Sequence, residues 1–134
     1  MDLGSTTVSA VGLWVGVNLL LMLLLGLNVT RLRVKTDTVV GIGEDAALER
    51  GIRAHGNNAE YVPGALIAIA MMAAVGYSAT WIHALGGLLF VARLLHAYGI
   101  QKVEVKLPAT RVAGNFITWG IYVVCSGALI MSFL

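Results

Sequence analysis

The sequence predicts an all-α integral membrane protein built as a four-helix bundle. Of its 134 residues, 58% are hydrophobic and 12% are charged, and the mean hydropathy is +0.85. A soluble domain is about 45–50% apolar and about 25% charged. Three long runs, 3–30, 61–92 and 112–134, contain no Asp, Glu, Lys or Arg. This composition excludes a water-soluble globule, and the single Cys125 leaves no partner for a disulfide or a cysteine-based metal site.

The three apolar runs predict four membrane-spanning helices. A helix needs about 20 residues to cross the hydrocarbon, so the first and third runs hold one span each. The middle run is longer and is interrupted at Gly76-Tyr77-Ser78-Ala79-Thr80, which favours a tight turn inside a helical hairpin. Within one domain covering 1–134, the predicted spans are 7–30, 46–75, 80–101 and 109–132.

The distribution of basic residues predicts the topology. All nine lie in or beside the first and third connections: Arg31, Arg33, Lys35, Arg50, Arg53, Arg93, Lys102, Lys106 and Arg111. The positive-inside rule then places both charged connections in the cytoplasm and both termini outside it. A compact chain of this kind is compatible with a bacterial inner membrane, and a net charge of +2 is too small to indicate a nucleic-acid partner.

Polar residues form a stripe at the start of the second span. At about 100° per residue, Glu49, Arg50, Arg53, Asn57 and Glu60 fall within an arc of about 100°. Arginine side chains bind carboxylates in bidentate fashion and a carboxylate binds an amine, so the stripe suits a small anionic ligand that carries an amine. The alternative is a solvated helix extension stabilised by intrahelical pairs such as Glu49 with Arg53.

Two ionisable residues lie deep in the predicted hairpin. Glu60 and Arg93 are both about 20–22 Å from the outer turn, on neighbouring helices. Charged groups at such depth need a partner or a wet cavity, which predicts that the two side chains pair. His96 lies one turn after Arg93 on nearly the same face. No clustered Cys/His or Asp-rich motif appears, so no metal site is expected.

The segment Glu49-Arg50-x-x-Arg53-Ala54-His55-x-Asn57-x-x-Glu60-Tyr61-x-Pro63 resembles the signature of the MAPEG superfamily, the membrane-associated proteins in eicosanoid and glutathione metabolism. Two further stretches agree with that family, Arg31-Leu32-Arg33 and Ala92-Arg93-Leu94-Leu95-His96. The resemblance covers essentially the whole chain. It implies a homotrimer that binds glutathione in the inner leaflet between adjacent subunits.

The resemblance also implies roles for individual residues. Arg31 and His55 match positions that face the neighbouring subunit. The full set of implied glutathione contacts is Arg31, Arg53, His55, Asn57, Glu60, Tyr61, Arg93 and His96. The implied catalytic residues are Arg111, with Lys106 as the alternative, or Arg31 to stabilise the glutathione thiolate, and His96 to orient glutathione or act as an acid–base group.

The expected function is a membrane-embedded glutathione-dependent transferase or peroxidase. Its other partners would be a hydrophobic electrophile or lipid peroxide from the bilayer, membrane lipids and further copies of the chain. Many catalytic members of the family carry a tyrosine four residues after the position of His96, where this chain has Ile100. That departure keeps a second hypothesis open, a non-catalytic lipid-binding or scaffolding trimer. A transporter or channel is less favoured, because the outer halves of the predicted spans lack a polar lining.

Overall fold

The protein is a bundle of four α-helices. The computed structural model describes residues 3–102 and 107–134, with side chains from Thr6 onward. The helices are α1 (Leu3–Thr36), α2 (Ala46–Ala74), α3 (Ala79–Ile100) and α4 (Ala109–Met131), and the described residues contain no strand. The predicted all-α fold is confirmed, and α1 extends beyond the predicted span 7–30 at both ends.

Three of the helices are long and apolar enough to cross a membrane, which makes the chain an integral membrane protein. They are Thr6–Thr36, Ala79–Ile100 and Ala109–Met131. The helix α2 is not among them, because its first half carries the polar stripe. At 29 residues it is nevertheless about 44 Å long, and it packs along the other three helices. A fourth crossing by α2 stays a prediction.

Local chemistry explains where α2 begins and ends. The Asp45 carboxylate accepts a hydrogen bond from the backbone N–H of Leu48 at 2.8 Å, as an N-cap residue does. At the other end the chain turns at Gly76, whose φ of +102° is accessible to glycine but costly for other residues. The α3 helix starts at Ala79, so the predicted hairpin turn is confirmed and is slightly earlier in the sequence than expected.

The loop between α1 and α2 is folded around one arginine. A single nitrogen of Arg33, Nη1, donates to the carbonyl oxygens of Thr38, Val39 and Gly41 at 3.3, 3.2 and 3.0 Å. Asp37 has a positive φ of 49°, which marks the point where the chain leaves the helix. These contacts give the loop a defined shape although it is exposed.

The helices pack so that α2 and α3 form the centre of the bundle. α1 and α4 each contact both of these helices and, across their described residues, do not contact each other. Two glycines on α3 allow close approach. A Cβ at Gly86 would overlap the Trp14 indole of α1, and a Cβ at Gly99 would meet the backbone of Arg111 on α4.

The interior is divided along the bundle axis. The half next to the α2–α3 turn, here called the apolar half, has an apolar core of Ala10, Ala65, Ile69, Met72, Ile82, Leu85, Leu89, Ile121 and Cys125. The other half, called the polar half, contains the polar cluster Asn57, Asn58, Tyr61, Arg93, His96 and Thr118. Four members of that cluster are at most 1% exposed: Asn58, Arg93, His96 and Thr118.

Candidate functional site

The polar cluster is organised around the buried guanidinium of Arg93. Its Nε donates to Asn58 Oδ1 at 3.3 Å, its Nη1 donates to Thr118 Oγ1 at 3.4 Å, and its Nη2 donates to Asn57 Oδ1. A buried cation is tolerated when its donors have partners, because an unpaired charge in a dry interior carries a large desolvation penalty. Arg93 therefore ties α3 to α2 and to α4 at one point.

The partners of Arg93 are themselves held in place. The Thr118 hydroxyl donates to the Gly114 carbonyl at 2.7 Å, which leaves its oxygen free to accept from Arg93. The Asn58 amide nitrogen is 3.7 Å from the sulfur of Met22 on α1. Two of the three acceptors are thereby oriented by a further hydrogen bond, Thr118 within α4 and Asn58 to α1.

The predicted pair between Arg93 and Glu60 is wrong. The guanidinium lies between the neutral amide oxygens of Asn57 and Asn58, and the Glu60 side chain is exposed. The two residues share a depth, but α3 meets α2 on the side of Asn58, about 160° around the helix from Glu60. Glu60 consequently keeps its carboxylate available to another molecule.

Tyr61 forms one wall beside the guanidinium. The Cζ atom of Arg93 is 5.8 Å from the centroid of the Tyr61 ring, which permits a cation–π interaction. The ring meets that of Tyr122 edge to face, and the Tyr122 hydroxyl donates to the Tyr61 carbonyl at 2.7 Å. The indole nitrogen of Trp119 approaches the Tyr61 hydroxyl at 3.4 Å. Tyr61 is therefore oriented by two aromatic residues of α4.

His96 is buried without a hydrogen bond to either ring nitrogen. The α4 backbone is close on one side, where a Cβ at Gly114 would lie 2.9 Å from the Cβ of His96. The cations of Arg93, Arg111 and Arg53 are near enough to act on the ring electrostatically. Buried polar atoms almost always have a partner, so the two ring nitrogens of His96 are an exception within the described residues.

Arg111 and Arg53, which belong to different helices, are the two further cations that act electrostatically on the His96 ring. Arg111 is in the first turn of α4, half-buried, with its backbone against Gly99 of α3. Arg53 is on α2 and exposed, one turn before the half-buried Asn57. The alternative thiolate-stabilising residue, Lys106, lies outside the described residues. The alternative of a solvated helix extension would pair Arg53 with Glu49, and the described residues contain no such ion pair. The exposed Arg53 guanidinium is therefore open to a ligand.

Two of the expected site residues lie elsewhere in this subunit. Arg31 is exposed on α1 and donates to Asn28 Oδ1 at 3.2 Å. His55 packs on α1 of its own chain, where a Cβ at Gly26 would be 3.4 Å from its Nε2. Neither residue hydrogen-bonds to the polar cluster. The subunit thus assembles Arg53, Asn57, Tyr61, Arg93, His96 and Arg111, with Glu60 exposed beside them.

Sequence reasoning missed two residues of the polar cluster, Asn58 and Thr118, and Tyr122, which contacts the cluster at Tyr61. Thr118 is a lone hydroxyl within an apolar helix, and the need of Arg93 for acceptors could have suggested it. Asn58 points away from the polar stripe on a helical wheel, so its role depends on where α3 packs. Tyr122 gave no signal in the sequence.

Comparisons with known proteins agree with this architecture. The model of the MAPEG family matches residues 11–131. The Inner membrane protein YecN of Escherichia coli strain K12 is 33% identical over 100 residues, which cover 75% of this chain and 74% of that protein. The protein of the same name from Escherichia coli O6:H1 strain CFT073 has the same identity and coverage.

Proposed function

Since this chain belongs to the MAPEG family, we propose that it is a membrane-embedded glutathione-dependent transferase or peroxidase. Its second substrate would be a hydrophobic electrophile or a lipid peroxide that arrives from the bilayer. The observation that carries the proposal is the buried polar cluster, in which Arg93 is hydrogen-bonded to Asn57, while His96, one turn further along α3, has no partner among the described residues at either ring nitrogen.

The described residues suit the chemistry of glutathione. Glutathione carries two carboxylates, an α-amine and a thiol. The exposed Arg53 offers a guanidinium for a carboxylate, and the exposed Glu60 offers a carboxylate for the amine. Asn57 lies between them along the same helix, and Tyr61 directly follows Glu60. The oriented Arg93 holds Asn57 at the inner edge of this surface.

The thiol would react as a thiolate. A nearby cation lowers the free energy of a thiolate relative to the thiol, and Arg111 or Arg31 would provide it. In the transferase reaction the sulfur attacks an electrophilic carbon, a C–S bond forms, and the leaving group departs with its electron pair. In the peroxidase reaction two glutathione molecules reduce one peroxide to an alcohol and water and are oxidised to one disulfide.

The assembly and location are part of the same proposal. We propose a homotrimer in which Arg31 and His55 of one subunit contribute to the site of the next, since both lie away from the polar cluster of their own chain. The name of the E. coli relative supports a bacterial inner membrane. The basic connections would face the cytoplasm, which is where glutathione would enter.

A specific observation favours the second candidate, a non-catalytic lipid-binding or scaffolding trimer. Ile100 stands where many catalytic members of the family have a tyrosine, and its side chain is buried at the end of α3. No phenol is therefore available at that point of the helix. Binding without turnover would select this candidate.

The first experiment is calorimetric titration of the purified protein with glutathione. A charge-assisted contact contributes about 1.5–3 kcal/mol, so Arg53→Ala should weaken binding by roughly tenfold or more. Lys35→Ala is the matched control, because it removes an exposed cation from α1. Absence of saturable binding at millimolar glutathione would reject the glutathione site.

The second experiment measures turnover over a panel of electrophiles and lipid peroxides. His96→Ala should lower turnover, because the ring would lose its contact with glutathione or the proton that it transfers. Unchanged turnover in His96→Ala would remove that residue from the mechanism while leaving the binding result intact.

A further inference from the structure

The loop between α1 and α2 exposes large apolar side chains that no helix of the bundle covers. Val39 and Val40 are 85% and 84% exposed, and Ile42 is 52% exposed. Val34, on the last turns of α1, is 80% exposed. An exposed apolar patch on an otherwise folded loop indicates a surface that meets another phase or another molecule.

The length of α1 places this patch at the membrane surface. The apolar span Thr6–Thr36 has 31 residues and is therefore about 46 Å long. The hydrocarbon is about 30 Å thick, and the bilayer with its headgroup regions is about 40–45 Å thick. One end of α1 consequently reaches the headgroup level, and the nine-residue connection that follows cannot extend far from it.

The loop has a fixed shape in which the apolar residues are presented together. The three hydrogen bonds from Arg33 Nη1 hold the carbonyl oxygens of Thr38, Val39 and Gly41 on one cation. The valine side chains are left on the outside of this fold. Lys35, exposed beside Val34 on α1, supplies a positive charge next to the apolar residues, while the acidic residues of the loop are Asp37, Glu44 and the helix-capping Asp45. Segments that lie in the lipid interface typically combine apolar residues with neighbouring cations.

We propose that the patch formed by Val34, Val39, Val40 and Ile42 is inserted in the lipid interface, with Lys35 against phospholipid phosphate. The occupant of the surface is the bilayer itself, because the patch is continuous with a membrane-spanning helix. Arg33 is a positioning residue that keeps the loop folded onto the membrane. The inference is independent of glutathione and of catalysis.

The test is the depth of a spin label in vesicles of mixed phosphatidylcholine and phosphatidylglycerol. Val40→Cys places the label in the patch, and Glu44→Cys places it on an exposed polar residue of the same loop. The native chain treated with the label is the blank, because Cys125 is 1% exposed. Collisions with oxygen report lipid, and collisions with a water-soluble nickel chelate report water.

The expected ratio of oxygen to nickel collisions is several-fold higher at Val40→Cys than at Glu44→Cys. Frequent nickel collisions at both positions would overturn the proposal, because the patch would then lie in water. Few collisions with either reagent at Val40→Cys would also overturn it, since protein would cover the patch.

A second substitution tests the cause. Val39→Asp, added to Val40→Cys, should raise nickel collisions several-fold, because a carboxylate disfavours the interface. An unchanged label depth would show that the apolar side chains do not hold the loop there, and the proposal would fail.

Discussion

The apolar and polar halves of this bundle are held together by different interactions. Around Ile69 and Leu89 the helices meet mainly through close packing of apolar side chains, and the hydrogen bonds of Trp14 to His83 and of Tyr77 to the Ala128 carbonyl lie at the edge of that core. Around Arg93 they meet through directed hydrogen bonds that join three helices. Because lipid is as apolar as leucine, packing between membrane helices gains little from the hydrophobic effect, and a satisfied polar network adds specificity that packing lacks. In the apolar half the helices are therefore joined largely without directional constraints, whereas in the polar half hydrogen bonds fix their relative positions.

The largest predicted effect on stability comes from removing the Arg93 guanidinium, the centre of the polar cluster. Arg93→Met leaves the oxygens of Asn57, Asn58 and Thr118 without their donor, and we expect a loss of about 3 kcal/mol in the free energy of unfolding. The measurement is an unfolding titration in mixed micelles with sodium dodecyl sulfate. The triple variant Arg93→Met, Asn58→Leu, Thr118→Val should recover part of that loss, because apolar groups replace the unpaired acceptors. Equal stability of Arg93→Met and the native protein would contradict the account.

A smaller loss is expected from a cavity in the apolar half. Ile69 is 1% exposed, and Ile69→Ala should lower the free energy of unfolding by about 2 kcal/mol, the low end of the range for buried isoleucine, because lipid surrounds the unfolded helices. The affinity for glutathione should not change, since the cavity lies away from the polar cluster. Titration of the same preparation with glutathione checks this, and a large change in affinity would mean that the two halves are coupled.

The smallest effect is expected at a close approach between α3 and α4 in the polar half. A Cβ at Gly114 would meet the Ala92 carbonyl and the backbone of His96, so Gly114→Ala must move α4 away from α3. Overpacking of this kind costs about 1–2 kcal/mol. Gly120→Ala is the control, because a Cβ there meets nothing within 4 Å. Indistinguishable stability of the two variants would contradict the close approach.

Much of the fold could be predicted from the sequence because membrane spans are long and apolar. The starts of α2 and α4, at Ala46 and Ala109, agree with the predicted 46 and 109. The end of α1 could not be found in this way. Apolar runs report the hydrocarbon, and the helix continues through Arg31 and Lys35 beyond it.

The candidate site was predictable only in part. The stripe of Arg53, Asn57 and Glu60 follows from helical periodicity, which is a local property. The partners of Arg93 depend on which side of α2 faces α3, and periodicity within one helix contains no such information. The pairing of Arg93 with Glu60 was wrong for this reason.

The arrangement of helices has a consequence for how the protein is made. Each helix after the first packs against the one that precedes it, and within residues 3–102 and 107–134 α4 contacts α2 and α3, which are both synthesised earlier. A short turn joins α2 to α3, so little conformational entropy is lost when the two helices come into contact. A chain with such local contacts can assemble in the order of its synthesis. Each helix after the first would find a packing partner that was synthesised before it, and Arg93 would meet Asn57 and Asn58 before α4 supplies Thr118.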